Sequence, residues 1–270
     1  MAEKTRLDAA VFARGLTESR EKARTSIMAG IVYVNNQKAD KPGMQVKETD
    51  VIEVRGKALR YVSRGGLKLE KAIEVFDICL DGMICADIGS STGGFTDCML
   101  QNGAARVYAI DVGHNQLAWS LRSDPRVTVM EDTNIRYVDP DGFDPRPEFC
   151  TIDVNHISVR LVLPVVRKML PEGGRLMCLI KPQFEAGREN VGKNGIVRDS
   201  SVHEDVLRTV LGLMRELGFE LLGLDFSPIK GQKGNIEYLS YVRAAGGETG
   251  PVIGEPDIRG LVARSHRELD

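Results

Sequence analysis

Four charged side chains stand where strands are expected to end or helices to begin: Lys68 at the head of a helical stretch, Asp153 closing Cys150-Thr-Ile-Asp, Lys181 closing Leu176-Met-Cys-Leu-Ile-Lys, and Glu237 within Gly234-Asn-Ile-Glu-Tyr-Leu. A lysine that closes a buried strand is costly unless a carboxylate meets it. Two lysines and two carboxylates neutralise each other while pushing the lysines' pKa values apart. Such a set suits methyl transfer to a hydroxyl, an in-line displacement at a sulfonium methyl. Acceptor oxygen, methyl and sulfur must be aligned, and a weakly acidic alcohol must lose its proton. A lysine depressed toward neutrality by burial and a second ammonium takes that proton, and the other charges orient it. The alternative from position alone is two structural ion pairs, because such networks also perturb pKa values without catalysing anything.

The electrophile needs its own site. Cys85-Ala-Asp-Ile-Gly-Ser-Ser-Thr-Gly-Gly-Phe95 reads as an apolar strand running into a small-residue turn, and Val107-Tyr-Ala-Ile-Asp111 as a second strand ending in a carboxylate. Gly89, Gly93 and Gly94 let main-chain N–H groups approach a ligand, and Asp111, roughly 20 residues on, is placed to accept hydrogen bonds from a ribose diol. The glycine spacing is not Gly-x-Gly-x-x-Gly, and no pyrophosphate-binding arginine or Walker lysine follows. S-adenosylmethionine, which has no phosphate, suits this turn better than NAD.

These residues need a scaffold. Short apolar segments (83–87, 107–111, 127–130, 149–154 and 174–181) alternate with helical stretches (67–76, 95–101, 159–169 and 203–217), and 220–226 with 236–243 read as a closing pair of strands, one antiparallel. Strand-helix alternation predicts an α/β fold with a doubly wound, Rossmann-like sheet. A helix is expected over 256–268. The expected units are residues 1–60, a connector at 61–64, a catalytic domain over 65–245, and a C-terminal link and helix over 246–270.

The first 60 residues read as a small α+β module. Arg6–Arg14 and Thr17–Gly30 have helical spacing, with Thr17 as the expected cap; Ile31-Val-Tyr-Val-Asn-Asn is a strand and tight turn, Lys41-Pro-Gly a turn, and Asp50-Val-Ile-Glu-Val a strand. Arg20 and Arg24 share a helix face beside Lys22. Residues 1–64 carry 13 basic against 8 acidic groups, a charge of +5 within a net −2, so the rest of the chain carries −7. A basic module on an acidic body points to nucleic acid.

With 270 residues and 42% hydrophobic content, a sizeable core is affordable. No apolar run is long enough to span a bilayer, the N-terminus lacks the apolar stretch of a signal peptide, and a cytoplasmic protein with no membrane partner is expected. Cys79, Cys85, Cys98, Cys150 and Cys178 stand singly. They read as buried reduced thiols, with no metal site.

Arg6-Leu-Asp, Gly15-Leu-Thr-Glu-Ser-Arg20, Ile27-Met-Ala-Gly-Ile-Val-Tyr-Val-Asn35 and Lys41-Pro-Gly resemble the small RNA-binding domain named after ribosomal protein S-four. Val62-Ser-Arg-Gly-Gly-Leu-Lys-Leu, Asp87-Ile-Gly-Ser-Ser-Thr-Gly-Gly-Phe-Thr-Asp, Asp111-Val-Gly-His-Asn-Gln-Leu, Ile180-Lys-Pro-Gln-Phe-Glu-Ala-Gly-Arg and Val191-Gly-Lys-Asn-Gly-Ile-Val-Arg-Asp resemble the TlyA (hemolysin A) family of FtsJ-like RNA 2′-O-methyltransferases. The resemblance implies S-adenosylmethionine-dependent methylation of a ribose 2′-hydroxyl in ribosomal RNA, with cytidine the implied nucleotide, and ribosomal RNA or ribosomal subunits as partner. It puts a Lys-Asp-Lys-Glu tetrad on Lys68, Asp153, Lys181 and Glu237, with Lys181 as proton acceptor. Cofactor contacts fall on Gly89, Ser91, Gly93, Gly94, Asp111 and the 131–134 segment including Thr133, with Asp132 reaching the adenine amino group and Asp87 and Phe95 flanking the turn. RNA contacts are expected at Arg6, Arg20, Lys22, Arg24, Lys41, Arg64, Arg188 and Lys193.

The chain departs from the family where Val-Ser-Phe-Ile-Ser is usual and Val154-Asn-His-Ile-Ser158 stands instead. His156, with Asn155, reads as a helix-start cap, and stacking on a base is the alternative. The polar loop with Phe184, Arg188, Lys193 and Arg198 is expected to grip RNA. Competing readings are a non-catalytic RNA-binding or ribosome-assembly protein, a NAD-dependent oxidoreductase, which the turn spacing disfavours, and a membrane-active hemolysin, which only the family's older name suggests.

Overall fold

The computed structural model describes residues 4–28, 30–55, 60–245 and 256–269. Residues 56–59 at the end of the expected N-terminal unit and 246–255 of the C-terminal link lie outside the described residues. In the N-terminal module, β1 (Lys4–Arg6), α1 (Leu7–Ala13), α2 (Arg20–Met28), β2 (Val32–Val34), β3 (Gln37–Ala39), β4 (Gln45–Lys47) and β5 (Ile52–Val54) follow in order. β2 is the centre of a three-stranded antiparallel sheet with β3 and β5, and β1 pairs with β4. The β2–β3 turn uses Asn35 and Asn36, both at positive φ, as a two-residue hairpin demands. Leu7, Val11, Ala23, Ile27, Val32 and Val46 close a small core of their own. Ser19, rather than Thr17, caps α2: its Oγ accepts the Lys22 N–H at 3.1 Å, while Thr17 donates to the Ser19 carbonyl.

The larger unit contains α3 (Gly66–Phe76), β6 (Ile84–Ile88), α4 (Gly94–Gln101), β7 (Arg106–Ile110), α5 (Trp119–Arg122), β8 (Val127–Met130), β9 (Phe149–Ile152), α6 (Leu163–Met169), β10 (Arg175–Ile180), α7 (Pro182–Glu185), α8 (Ser200–Glu216), β11 (Phe219–Phe226), β12 (Tyr238–Ala244) and α9 (Ile258–Leu269). Its sheet has the order β11-β12-β10-β9-β6-β7-β8, with β12 antiparallel to both neighbours and the β10-β9-β6-β7-β8 pairings parallel. Strand residues alternate between two cores, as a sheet covered on both faces requires. On β10, Leu176, Cys178 and Ile180 face α6, α8 and α9, whereas Met177 and Leu179 face the core that α3, α4 and α5 close.

α8 shows how sequence sets a boundary. Asp199 accepts the Ser201 N–H at 2.9 Å, Val206, Leu207, Val210 and Met214 bury one stripe, and Gly218 ends the run at positive φ. Tyr61, in the segment read as a connector, is 2% exposed and packs in the α3–α4 core, where a Cβ on Gly66 would lie 2.4 Å from its ring. Cys79 is exposed, which corrects the expectation that all five thiols are buried.

Candidate active site

The strand order reverses between β6 and β9, which opens a crevice beyond their carboxyl ends. Asp153 follows β9 and Lys181 follows β10 directly. Because β12 runs antiparallel, with Tyr238 opposite Ile180, its first residue lies at the same edge, and Glu237 is delivered beside them. Lys68 enters from the first turn of α3. All four meet: Lys68 Nζ is 2.6 Å from Glu237 Oε2 and 3.8 Å from Asp153 Oδ2, while Lys181 Nζ forms a short ion pair with Asp153 Oδ1.

Lys68, Lys181 and Glu237 are 8%, 4% and 2% exposed, so these charges are stable only as a mutually neutralising set. Burial opposes charge on Lys68, but Asp153 and Glu237 outweigh it and hold its pKa above the usual lysine value. Lys68 is therefore held as a cation, which leaves Lys181 as the lysine of the pair expected to take the proton. Burial likewise works against the Asp153 carboxylate, yet Lys68 and Lys181 hold its pKa below the usual range. Asn155 completes the set, its Oδ1 accepting from Lys181 Nζ at 2.8 Å. Sequence reading saw Asn155 as a departure from the family pattern and as part of a helix-start cap, not as a partner of Lys181.

Two clefts share Gly89, Ser91, Asp153 and Asn155 as their common wall. The smaller, about 170 Å³, holds the four charged groups with Ser63, Gly94 and Phe95. The larger, about 340 Å³, is lined by Asp111, Val112, Thr133, Ile135 and Ile157 among others. Gly89 has φ +85°, and a Cβ there would lie 2.4 Å from the Asp153 carbonyl oxygen; Gly93 has φ +95° and abuts Leu121. Glycine is thus required for the turn to pass the Asp153 segment. Asp111 accepts the Ser91 N–H at 2.8 Å through Oδ2 and the Gly113 N–H at 2.6 Å through Oδ1, which leaves each oxygen acceptor capacity, and the residue lines the larger cleft.

Two of the expected cofactor contacts have protein partners of their own, and of the two only Asp132 lies outside both clefts. Asp132, at φ +54°, turns away and pairs with His114 Nδ1 at 2.8 Å on the surface, which raises the His114 pKa; it does not line the larger cleft. Asp87 is fully buried and its carboxylate accepts the Thr96 N–H, the Thr96 hydroxyl and the Thr151 hydroxyl, so it clamps the start of α4 beneath the glycine turn. Burial drives the Asp87 carboxyl up to about 7. The folded protein therefore holds a proton that an unfolded chain releases near pH 4, and the stability this confers is complete below pH 4 and lost as pH rises through 7. Urea titrations are expected to show the wild type losing about 2 kcal/mol more than Asp87→Asn between pH 5 and 7. Parallel losses would show that Asp87 titrates normally.

The loop after β9 is capped by Ser158, whose Oγ accepts the Arg160 N–H at 3.1 Å, so neither His156 nor Asn155 caps it. His156 is exposed at φ +65°, and its ring centroid lies 5.4 Å from that of Phe184, itself 5.9 Å from Lys181 Nζ. Glu185 ties the two turns together by accepting from the Ser158 hydroxyl at 2.6 Å and the Val159 N–H at 2.8 Å.

The expected RNA contacts divide into three groups. Arg6 and Arg20 both clasp the buried Asp8 carboxylate, at 3.0 and 3.3 Å, while keeping about half their side-chain surface exposed. Lys22 pairs loosely with Glu18 at 3.6 Å, and Arg24 and Lys41 are exposed on the same module. Arg64 is exposed one turn before Lys68, and Arg188 and Lys193 are exposed on the loop after α7.

A glycine turn over a strand-order reversal, an acidic second-strand end and a seven-stranded sheet with one antiparallel strand next to its edge define a methyltransferase fold. The chain belongs to the FtsJ-like methyltransferases, whose family matches residues 61–244, and an S4 domain matches residues 5–52. The 16S/23S rRNA (cytidine-2′-O)-methyltransferase TlyA of Mycobacterium tuberculosis is 41% identical over 244 residues, spanning 90% of this chain and 91% of the relative. Hemolysin A of Brachyspira hyodysenteriae is 47% identical over 237 residues, spanning 87% of this chain and 98% of the relative. A solved structure from Streptococcus thermophilus, described as a hemolysin candidate, aligns with TM-score 0.77 and 49% identity over 99% of this chain and 98% of that one.

Proposed function

We propose that this protein methylates a ribose 2′-hydroxyl of ribosomal RNA, with cytidine the target nucleotide, using S-adenosylmethionine. The observation that carries the reading is the closed Lys68–Asp153–Lys181–Glu237 set at the wall shared with a glycine-turn cleft. The residues fit the cofactor: Gly89, Ser91 and Gly94 leave the room a bulky side chain would fill, Asp111 offers a carboxylate to the ribose diol, and Val112, Ile135 and Ile157 supply apolar walls for adenine. When bound, S-adenosylmethionine supplies a methyl group activated by its sulfonium. Asp132 would have to leave His114 to reach the adenine, so Thr133 and Asn134, which line the cleft, are the nearer polar contacts.

The chain's own groups hold the alcohol and its proton. Acting as the neutral amine, after its own ion-pair proton has passed to solvent, Lys181 Nζ accepts the hydroxyl proton, and the ammonium that re-forms is held by Asp153 and Asn155. Lys68, kept charged by Glu237 and Asp153, fixes the Asp153 carboxylate and offers positive charge to the developing alkoxide. Phe184 lies beside Lys181 with His156 against it, and the two rings provide aromatic surface on which the target base stacks. The S-four-type module, through Arg6, Arg20, Lys22, Arg24 and Lys41, recruits the structured RNA. No helix among the described residues is long and apolar enough to cross a membrane.

Calorimetry with S-adenosylhomocysteine tests the cofactor site. Asp111→Ala removes a charge-assisted acceptor of two ribose hydroxyls and is expected to weaken binding by about a hundredfold. Unchanged affinity in that variant would move the cofactor elsewhere.

A further inference from the structure

The loop after α7 and the loop before β12 are far apart in sequence but are braced by one side chain. Asn235 is 2% exposed; its Oδ1 accepts the Val197 N–H at 3.0 Å and its Nδ2 donates to the Gly195 carbonyl at 2.8 Å, spans of 38 and 40 residues. Its own carbonyl accepts the Gly231 N–H at 2.9 Å. The first loop is closed on itself by Gly195 N–H donating to the Gly192 carbonyl at 2.8 Å and Gly192 N–H to the Ile196 carbonyl at 3.0 Å. His203, buried on α8, anchors it from below with Nε2 3.0 Å from the Val197 carbonyl oxygen.

The brace brings together two loops that each carry a lysine. Lys233, at φ +60°, and Gly234, at φ +93°, turn the second loop sharply, and Lys233 Nζ stands 3.3 Å from where a Cβ on Gly195 would sit. Lys193 is two residues before Gly195. Both lysines are exposed, and among the described residues neither takes part in an ion pair, whereas the nearby carboxylates of Glu237 and Asp153 are matched by Lys68 and Lys181. Two residues after Asn235 the chain delivers Glu237 to the catalytic cleft, and a Cβ on Gly231 would lie 1.9 Å from Glu237 Oε1, so the second loop packs directly against the reacting centre.

We infer that Asn235 locks residues 191–198 and 231–237 into a phosphate-binding rim in which Lys193 and Lys233 grip the RNA backbone next to the target ribose. Surplus positive charge at the lip of a cleft built for a ribose is complementary to a phosphodiester. The inference rests on ribosomal RNA being the substrate. Lys233 and Asn235 are absent from the expected RNA contacts, and Asn235 acts as a positioning residue through the two loops it joins.

Filter retention of labelled, deproteinised 16S and 23S rRNA by the full chain, measured across a salt series, tests it. Lys193→Ala/Lys233→Ala is expected to bind about tenfold more weakly, with the slope of log affinity against log salt reduced by about 1.4, because each single-strand phosphate contact contributes about 0.7. Asn235→Ala removes no charge, yet it should weaken binding severalfold and flatten the same slope while S-adenosylhomocysteine affinity is retained. A general loss of stability would not move the slope alone. If the double variant matches the wild type in affinity and slope while the wild type binds rRNA, this inference is overturned and the proposed function stands. If the wild type fails to bind rRNA, both fall.

Discussion

Lys181→Ala is expected to lower the rate of methyl transfer by about a thousandfold, within the range general-base removal causes, while rRNA and S-adenosylhomocysteine affinities stay near wild type. The geometry explains why loss falls on the chemical step. Lys181 Nζ sits between the Asp153 carboxylate and the Asn155 amide oxygen, facing a cleft rather than solvent, and it is the group whose proton those two oxygens can stabilise after transfer. Lys181→Arg separates proton acceptance from charge. A guanidinium keeps the pair with Asp153 but does not deprotonate in a protein, so this variant should be nearly as slow as the alanine one. Recovery of rate in Lys181→Arg, measured by single-turnover transfer, would reduce Lys181 to a structural ion-pair partner.

Gly231→Ala is expected to slow transfer by about a hundredfold, the size of loss that a misplacement of about 1 Å in a reacting group produces. A Cβ on Gly231 would lie 1.9 Å from Glu237 Oε1. Glu237 is 2% exposed and bound to Lys68 at 2.6 Å, so it cannot swing aside without dragging Lys68 from Asp153. The substitution should also cost about 1–3 kcal/mol of stability through overpacking, which a urea titration separates from the rate effect. A rate within a factor of two of wild type would show that the Glu237 carboxylate does not need its present position.

The strands that carry the site were legible because a sheet buried on both faces writes itself as short apolar runs, and charged residues at the ends of such runs stand out. Lys181 after Leu176–Ile180 and Asp153 after Phe149–Ile152 are of this kind. The closing pair of strands, one of them antiparallel, was legible in the same way, and the antiparallel β12 brings Glu237 to the same edge. Elements of three or four residues, such as β1, β4, α5 and α7, carry too few positions to show a period. Spacing also cannot reveal direction. Asp132 lies in the segment expected to reach the cofactor, but its left-handed backbone turns it toward His114. Asp87 reads like part of a ligand turn and lines the smaller cleft, but three of its roughly four acceptor positions go to Thr96 and Thr151. The charge state of Lys68 depended on which carboxylates surround it, and the Asn235 brace joins residues about forty positions apart. Neither is encoded in any local pattern.

The central claim is that these four charged groups serve transfer of a methyl group to a ribose oxygen. The most direct measurement is incorporation of tritiated methyl from S-adenosylmethionine into ribosomal subunits, followed by nuclease mapping, with Lys181→Ala in parallel. The account predicts label from the wild type at a single class of alkali-resistant 2′-O-methylated nucleotide, and near-absence of label from the variant. Label on a base, or equal label from both proteins, would contradict it.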